Sequence, residues 1–247
     1  MSKERKPSRF FPHLLRIVKF FYGPHAVEGL ENLPDEPCFI ISNHAQIHGP
    51  MISQLFMPKN TRTWCAAETL QFKTARPYAF EDFWSGKPKH LHWLYKGLSY
   101  LAAPLLVYLH TNGRTIGVYH DHRVMSTFRD TLQYMQEGNH IIIFPEKAEP
   151  NNRILCHFQE GFVDAARLLY RRTGRRAAFV PMYIAPSLKK IVLGAPVYYN
   201  EETQPEDERH RICHELTEAI TALALTLPPH IVTPYMNVSK KDYPMSK

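Results

Sequence analysis

The chain has 247 residues, enough for one large domain or two small ones, and its middle shows no linker-like composition. With 44% hydrophobic residues it can bury a sizeable core, and a formal charge of +7 favours anionic partners: an anionic membrane, a phosphorylated substrate or nucleic acid. Four cysteines (Cys38, Cys65, Cys156, Cys213) lie far apart with no CxxC pair, which excludes a disulfide frame or a zinc ribbon and reads as reduced thiols in a cytosolic compartment.

Residues 1–8, MSKERKPS, are polar and basic and read as a mobile lead. Phe10 to Tyr22 then places Phe10, Leu14, Val18 and Phe21 on one helical face, with Arg9, Arg16 and Lys19 towards the other. A basic amphipathic helix of this kind lies in a membrane interface or packs on its own domain. Charges interrupt the apolar run and no small-residue cleavage site follows, so it is not read as a secretory signal. Residues 23–37 form a Gly/Pro-punctuated connection with a short strand at Ala26–Glu28.

The stretch CFIISNHAQIHGP, Cys38 to Pro50, is the one around which the rest is organised. An apolar β-branched run predicts a buried strand that delivers His44 to a strand-to-helix turn. A histidine held there suits a general base, or else caps the turn. A helix is expected over Pro50–Phe56 and a strand over Thr63–Ala67.

Leu70 to His110 is the least conventional region. An aromatic-rich stretch is followed by an apolar run of about twelve residues (Leu98–Leu109), short of the roughly 20 that span a bilayer. Lys96 and Pro104 weaken spanning further. A buried helix, a re-entrant segment and an interfacial hairpin all remain open, and Trp84, Trp93, Tyr95 and Tyr100 beside Lys87, Lys89 and Lys96 suit a headgroup layer.

From Thr115 onward the pattern alternates. Strands are predicted at Thr115–Tyr119, His140–Phe144, Ala178–Ile184 and Lys190–Leu193. Helices are predicted around Met125–Met135 and from Phe162 to Gly174, and Ile212, Leu216, Ile220 and Leu223 mark the last long helix. Strands alternating with helices predict an α/β fold, a mixed, largely parallel sheet covered by helices on both faces. Sites in such sheets form at the carboxyl ends of strands. Three ends carry polar residues: Asn43-His44, then His120, Asp121, His122 and Arg123, then Pro145-Glu146-Lys147.

The succession SNHAQIHG (42–49), TIGVYHDHR (115–123), IIIFPEK (141–147) and FVPMYIAP (179–186) with LGAPV after it, preceded by VEGLENLP (27–34), resembles the blocks of the PlsC-like glycerolipid acyltransferases. These include 1-acylglycerol-3-phosphate acyltransferases, and the resemblance covers roughly residues 27–200. The domain expected is 26–227, and the residue patterns above add an N-terminal amphipathic segment at 1–25, a membrane-contacting insertion at 80–110 and a polar tail at 228–247. His44 matches the family's catalytic base, which takes a proton from the acceptor hydroxyl as it attacks a thioester. Glu146 matches the acceptor-site glutamate, Pro145 shapes its turn, and Pro181 matches the donor-side block or else is a proline on an edge strand.

The departures are specific. Gly49 stands where the family has the aspartate that orients the imidazole; His48, Asp121, Glu146 or a backbone carbonyl remain as its replacement. His120 stands where the family has a phosphate-binding arginine, with Arg123, Lys147 and Arg153 as substitutes. The implied function is acyl transfer from acyl-CoA or acyl carrier protein to a glycerol-phosphate or lysophospholipid hydroxyl, in phospholipid biosynthesis. It implies an anionic membrane as partner, no bound cofactor or metal, and a cytoplasmic, peripheral location. A catalytically silent lipid-binding relative is the second reading, and a metal site built from His44, His48, His120, His122 and Glu146 is the third. Basic residues are scattered and no nucleic-acid-binding module is recognisable, so nucleic acid is not expected as a partner.

Overall fold

The computed structural model describes residues 8–235; the lead of residues 1–7 and the end of the predicted tail lie outside the described residues. The chain opens with α1 (Phe11–Tyr22), β1 (Ala26–Glu28), β2 (Phe39–Ser42), α2 (His48–Phe56) and β3 (Thr61–Ala66). Then come α3 (Phe72–Trp84), α4 (His92–Asn112), β4 (Thr115–Val118), α5 (Val124–Gln136) and β5 (His140–Ile143). The final third holds β6 (Glu146–Pro150), β7 (Cys156–Phe158), α6 (Val163–Thr173), β8 (Ala178–Ala185), β9 (Lys190–Leu193), β10 (Val197–Tyr198) and α7 (Pro205–Thr226).

The sheet runs in the order β1-β9-β8-β2-β5-β3-β4, with β10 also against β8. Its pairs are parallel except that β9 and β10 run antiparallel to β8. The fold is therefore a mixed, largely parallel α/β sheet with helices on both faces. The central strands β2, β5 and β8 are buried at every residue, as strands covered on both sides must be.

The pleat divides their side chains between two cores. Phe39, Ile41, Ile141, Ile143, Phe179 and Tyr183 face the apolar sides of α5, α6 and α7, while Ile40, Ile142, Val180, Met182 and Ile184 pack with Ile52 and Met57 of the α2 region. A two-stranded antiparallel ribbon, β6–β7, stands apart from this sheet. No periodicity in the sequence announces it or the two-residue β10.

The region 70–110 resolves into a helical hairpin, α3 packed against α4, each with an internal proline, Pro77 and Pro104. No helix among the described residues is long and apolar enough to cross a membrane. Trp93, Leu94, Leu98, Leu101 and Leu105 of α4 are exposed, as are Ile17, Phe20 and Phe21 of α1 and Phe10 just before it. The two helices meet where Phe11 sets its ring edge against Tyr108, 6.1 Å between centroids, and where the Ser8 amide donates to Asn112 Oδ1.

Helix α7 contains the predicted markers Ile212, Leu216, Ile220 and Leu223 and begins at Pro205; its first turn is polar, but Pro205 with Glu206, Asp207 and Glu208 suits a helix start and its dipole. Two expectations are corrected. Pro181 is not on an edge strand. It pairs with Ile41 of β2 and sits where β8 passes from β10 to β9, a break at which a ladder donor is not needed. Within the expected polar tail, His230 and Val232 are buried against the core.

Candidate active site

Strand β2 ends at a sharp elbow. Asn43 is buried and bridges β2 to β8: its amide donates to the Ile184 carbonyl at 3.0 Å and accepts from the Ile184 N–H at 2.8 Å. His44 follows, and the next two residues are left-handed, Ala45 at φ 46° and Gln46 at φ 56°. Each such non-glycine residue costs of order 1–3 kcal/mol and persists only when its surroundings hold it. Here the holding bonds are visible. The His44 N–H donates to Glu146 Oε2 at 2.6 Å, and the Gly49 N–H donates to the His44 carbonyl at 3.1 Å.

The elbow curls the Gln46 carbonyl back onto the imidazole, 2.6 Å from His44 Nδ1. A carbonyl only accepts, so Nδ1 carries the proton and Nε2 keeps its lone pair. Burial pushes the His44 pKa below the ordinary histidine value, with the Gln46 and His44 carbonyls offsetting part of that. The ring is therefore neutral at pH 7. The imidazole is oriented by a backbone oxygen rather than a carboxylate, and Gly49 lets the His44 carbonyl close the elbow beside it. A Cβ at Gly49 would lie 2.2 Å from the His44 oxygen.

Nδ1 is bonded to the Gln46 carbonyl rather than to any of the three side chains expected to orient the ring, His48, Asp121 and Glu146. His48 sits in the first turn of α2 with its Nδ1 3.1 Å from the Tyr22 hydroxyl. Asp121 is exposed and engaged by Arg123, at 2.7 Å between Asp121 Oδ2 and Arg123 Nη2.

Glu146 is buried, but its carboxylate is occupied by backbone. Oε2 takes the His44 N–H, and Oε1 takes the Cys156 N–H at 2.8 Å. It ties the elbow to the ribbon. Burial raises its pKa to about 7, against the two amide donors that favour the charge.

Pro145 lines the cavity described below and passes its carbonyl to the Gln159 N–H. Lys147 points along the ribbon to Glu149 at 2.7 Å, and Arg153 is exposed. His120 reaches the cavity; Arg123 lies beside it, its guanidinium over the Tyr119 ring at 4.3 Å. Pro181, in the middle of β8, accepts the Gly194 N–H on its carbonyl. No group of three or more His, Cys, Asp or Glu side chains among the described residues could hold a metal ion.

A cavity of about 370 Å³ opens from His44 and Glu146 towards Phe11 and Leu15 of α1 and Leu106 and Leu109 of α4. That volume lies within the range of small-molecule sites. Its lining joins the imidazole to aliphatic and aromatic side chains of α1 and α4, with Gln54, Asp82 and His110 among them.

Three lining residues escape sequence reasoning: Tyr78 and Asp82 of α3, and Tyr235. Burial raises Asp82 to about 6. Tyr235 sets its ring edge-to-face on His44 at 5.3 Å and 87°, and Phe144 lies at 5.3 Å from the same imidazole. No local pattern marks Tyr235, because its contact joins residues at opposite ends of the chain.

No protein-family model matches the chain, and no curated protein matches it in sequence. Among solved structures it is similar to the 1-acyl-sn-glycerophosphate (LPA) acyltransferase, PlsC, from Thermotoga maritima. The identity is 12% and the TM-score 0.49, over 88% of this chain and 83% of that chain.

Proposed function

We propose that the protein is an O-acyltransferase that works at a membrane surface. It moves a fatty acyl group from a thioester of coenzyme A or acyl carrier protein to the hydroxyl of a glycerol phosphate or lysophospholipid. The observation that carries this reading is the His44 imidazole, its tautomer fixed by the Gln46 carbonyl, at the head of an apolar cavity.

In this reading the acceptor O–H gives its proton to Nε2 as the oxygen attacks the thioester carbonyl. The C–O bond forms, the C–S bond breaks, and the proton passes from the imidazolium to the departing thiolate. The Gln46 carbonyl steadies the imidazolium while it exists. The thioester supplies the driving force, so no resident cofactor is called on. The aliphatic and aromatic lining of the cavity takes the acyl chain, and His120 with Arg123 at the mouth meets the acceptor's phosphate.

The exposed rings of α1 beside Arg9, Arg16 and Lys19, and the exposed face of α4, serve an anionic membrane on its cytoplasmic side. Nucleic acid has no place in this reading.

The test is thiol release from acyl-CoA and acyl-carrier-protein donors with glycerol 3-phosphate and lysophospholipid acceptors, wild type beside His44→Ala. Release that needs both acceptor and His44 is expected. Release unchanged in a folded His44→Ala protein refutes the reading. Two observations favour a silent lipid-binding relative instead: among the described residues the cavity lining contains no Lys or Arg, and both Glu146 oxygens are taken by backbone amides. Vesicle binding with no release from any donor would establish that alternative.

A further inference from the structure

We propose that the segment following α7 is a strap whose residue Tyr235 covers the His44 imidazole against water. It thereby decides whether a thioester is passed to an alcohol or lost to hydrolysis. The consequence for turnover rests on the acyl-transfer reading above; the covering itself does not.

The strap is anchored at three points before it reaches the site. His230 is buried, with its Nδ1 2.9 Å from the Pro228 carbonyl and its Nε2 2.8 Å from the Tyr183 hydroxyl. Since Nδ1 must donate to that carbonyl, Nε2 accepts from Tyr183. Ser187 Oγ donates to the Ile231 carbonyl, and Val232 joins the core on the α5–α6–α7 face. These anchors bring the chain across the carboxyl ends of β2 and β8, and Tyr235 then lies against His44.

Tyr235 is not itself placed to act as a base. Burial first, and then Asp82, Glu146 and Cys156, raise its pKa to about 12, so its hydroxyl stays protonated at pH 7. Around the Tyr235–His44 pair stand Tyr78 and Asp82 from α3, Glu146 from β6 and Cys156 from β7. What Tyr235 supplies is a wall. His44 will take a proton from water as readily as from an alcohol; the hydroxide so formed attacks the same carbonyl, and a fatty acid and a thiol leave. Excluding water from a base of this kind is a recognised task of closing segments. Tyr235 is in this sense a positioning residue: it acts through what it keeps away from Nε2.

The experiment compares wild type, Tyr235→Phe, Tyr235→Ala and Tyr235→Leu, the last a milder uncovering should the alanine variant unfold. Two readouts are taken. The first is thiol release from a saturated long-chain acyl-CoA with and without a lysophospholipid acceptor. The second is the His44 titration followed by NMR of its ring proton, which requires no turnover. Tyr235→Ala is expected to raise acceptor-independent release relative to transfer roughly fivefold, the weight of one ring pair in an equilibrium. It should also move the His44 pKa upward, towards the ordinary value, because uncovering restores hydration of the imidazolium. Tyr235→Leu shifts both in the same direction, and Tyr235→Phe keeps both near wild type.

An unchanged ratio and titration in a folded Tyr235→Ala protein overturn the proposal, as does a Tyr235→Phe variant that behaves like alanine. If wild type transfers nothing from any donor, the acyl-transfer reading falls, and the titration alone decides whether Tyr235 covers His44.

Discussion

Gly49→Asp introduces the aspartate found at this place in the family whose motifs the sequence resembles, and the geometry predicts damage where that resemblance predicts a gain. The added Cβ would sit 2.2 Å from the His44 carbonyl oxygen, 2.9 Å from its carbon and 3.1 Å from Phe144 Cε1. An ordinary C···O contact is about 3.3 Å, so the elbow must open by about 1 Å. Two of the three obstacles are backbone, which cannot swing away as a side-chain tip can. Overpacking of this kind costs about 1–3 kcal/mol, or roughly 2–4 °C of melting temperature per kcal/mol in a chain of this size. The same movement carries the Gln46 carbonyl away from Nδ1, and a 1 Å misplacement in a catalytic array costs on the order of 100-fold in rate. Thermal unfolding and acyl transfer of Gly49→Ala and Gly49→Asp measure the two effects separately. Both variants should melt lower and transfer more slowly, the aspartate no better than the alanine. A Gly49→Asp protein with wild-type melting temperature and faster transfer would show that the carbonyl is a poor stand-in and that the glycine is not required.

Two further predictions follow from buried charge and exposed apolar surface. Glu146 has a folded pKa of about 7 against an ordinary 4.5. Between those values the folded chain binds more protons than the unfolded one, so stability falls as pH rises from about 4.5 to about 7 and is level above that. Urea unfolding at pH 5 and pH 7.5 should show wild type losing stability relative to Glu146→Gln across that interval, a difference that cancels the opposing titrations of the buried histidines and that of Asp82; a difference that does not change with pH assigns the slope elsewhere. On α1, Phe20 and Phe21 are 81% and 80% exposed, so the double change to serine should leave unfolding unaltered. Vesicle binding should weaken at least tenfold, since burying one phenylalanine is worth about 1.5–3 kcal/mol. Unchanged sedimentation with anionic vesicles would remove α1 from the membrane reading.

How much of this was legible beforehand depends on where each signal lives. The central strands were, because burial on both faces demands unbroken runs such as FIIS and HIII, and such runs are visible without partners. The α3–α4 hairpin was not settled, since its aromatic and proline-containing stretches match neither helical nor strand period cleanly. His44 was legible as a histidine at a strand end, but its orienting group was not. A backbone carbonyl leaves no residue type behind, and its only trace was a glycine where a carboxylate was expected. Glu146 was found, yet its bonds to the His44 and Cys156 amides depend on a ribbon that no periodicity announced.

The order of strands in the sheet also sets a schedule for making the protein. Strand β2 pairs only with β5 and β8, and the nearer of these begins at His140, about a hundred residues downstream. At synthesis rates of about 5–20 residues per second, FIIS waits roughly 5–20 s with both edges open, an apolar segment free to pair with the wrong chain. Immediately ahead of it stands Pro34-Asp35-Glu36-Pro37 with Cys38 between. Prolines and acids flanking an apolar strand keep other strands from extending onto it. In the finished fold Glu36 is spent on a surface ion pair with Arg175, a bond of small worth. Its larger service falls earlier, while the strand that will carry the histidine is still waiting for its neighbours.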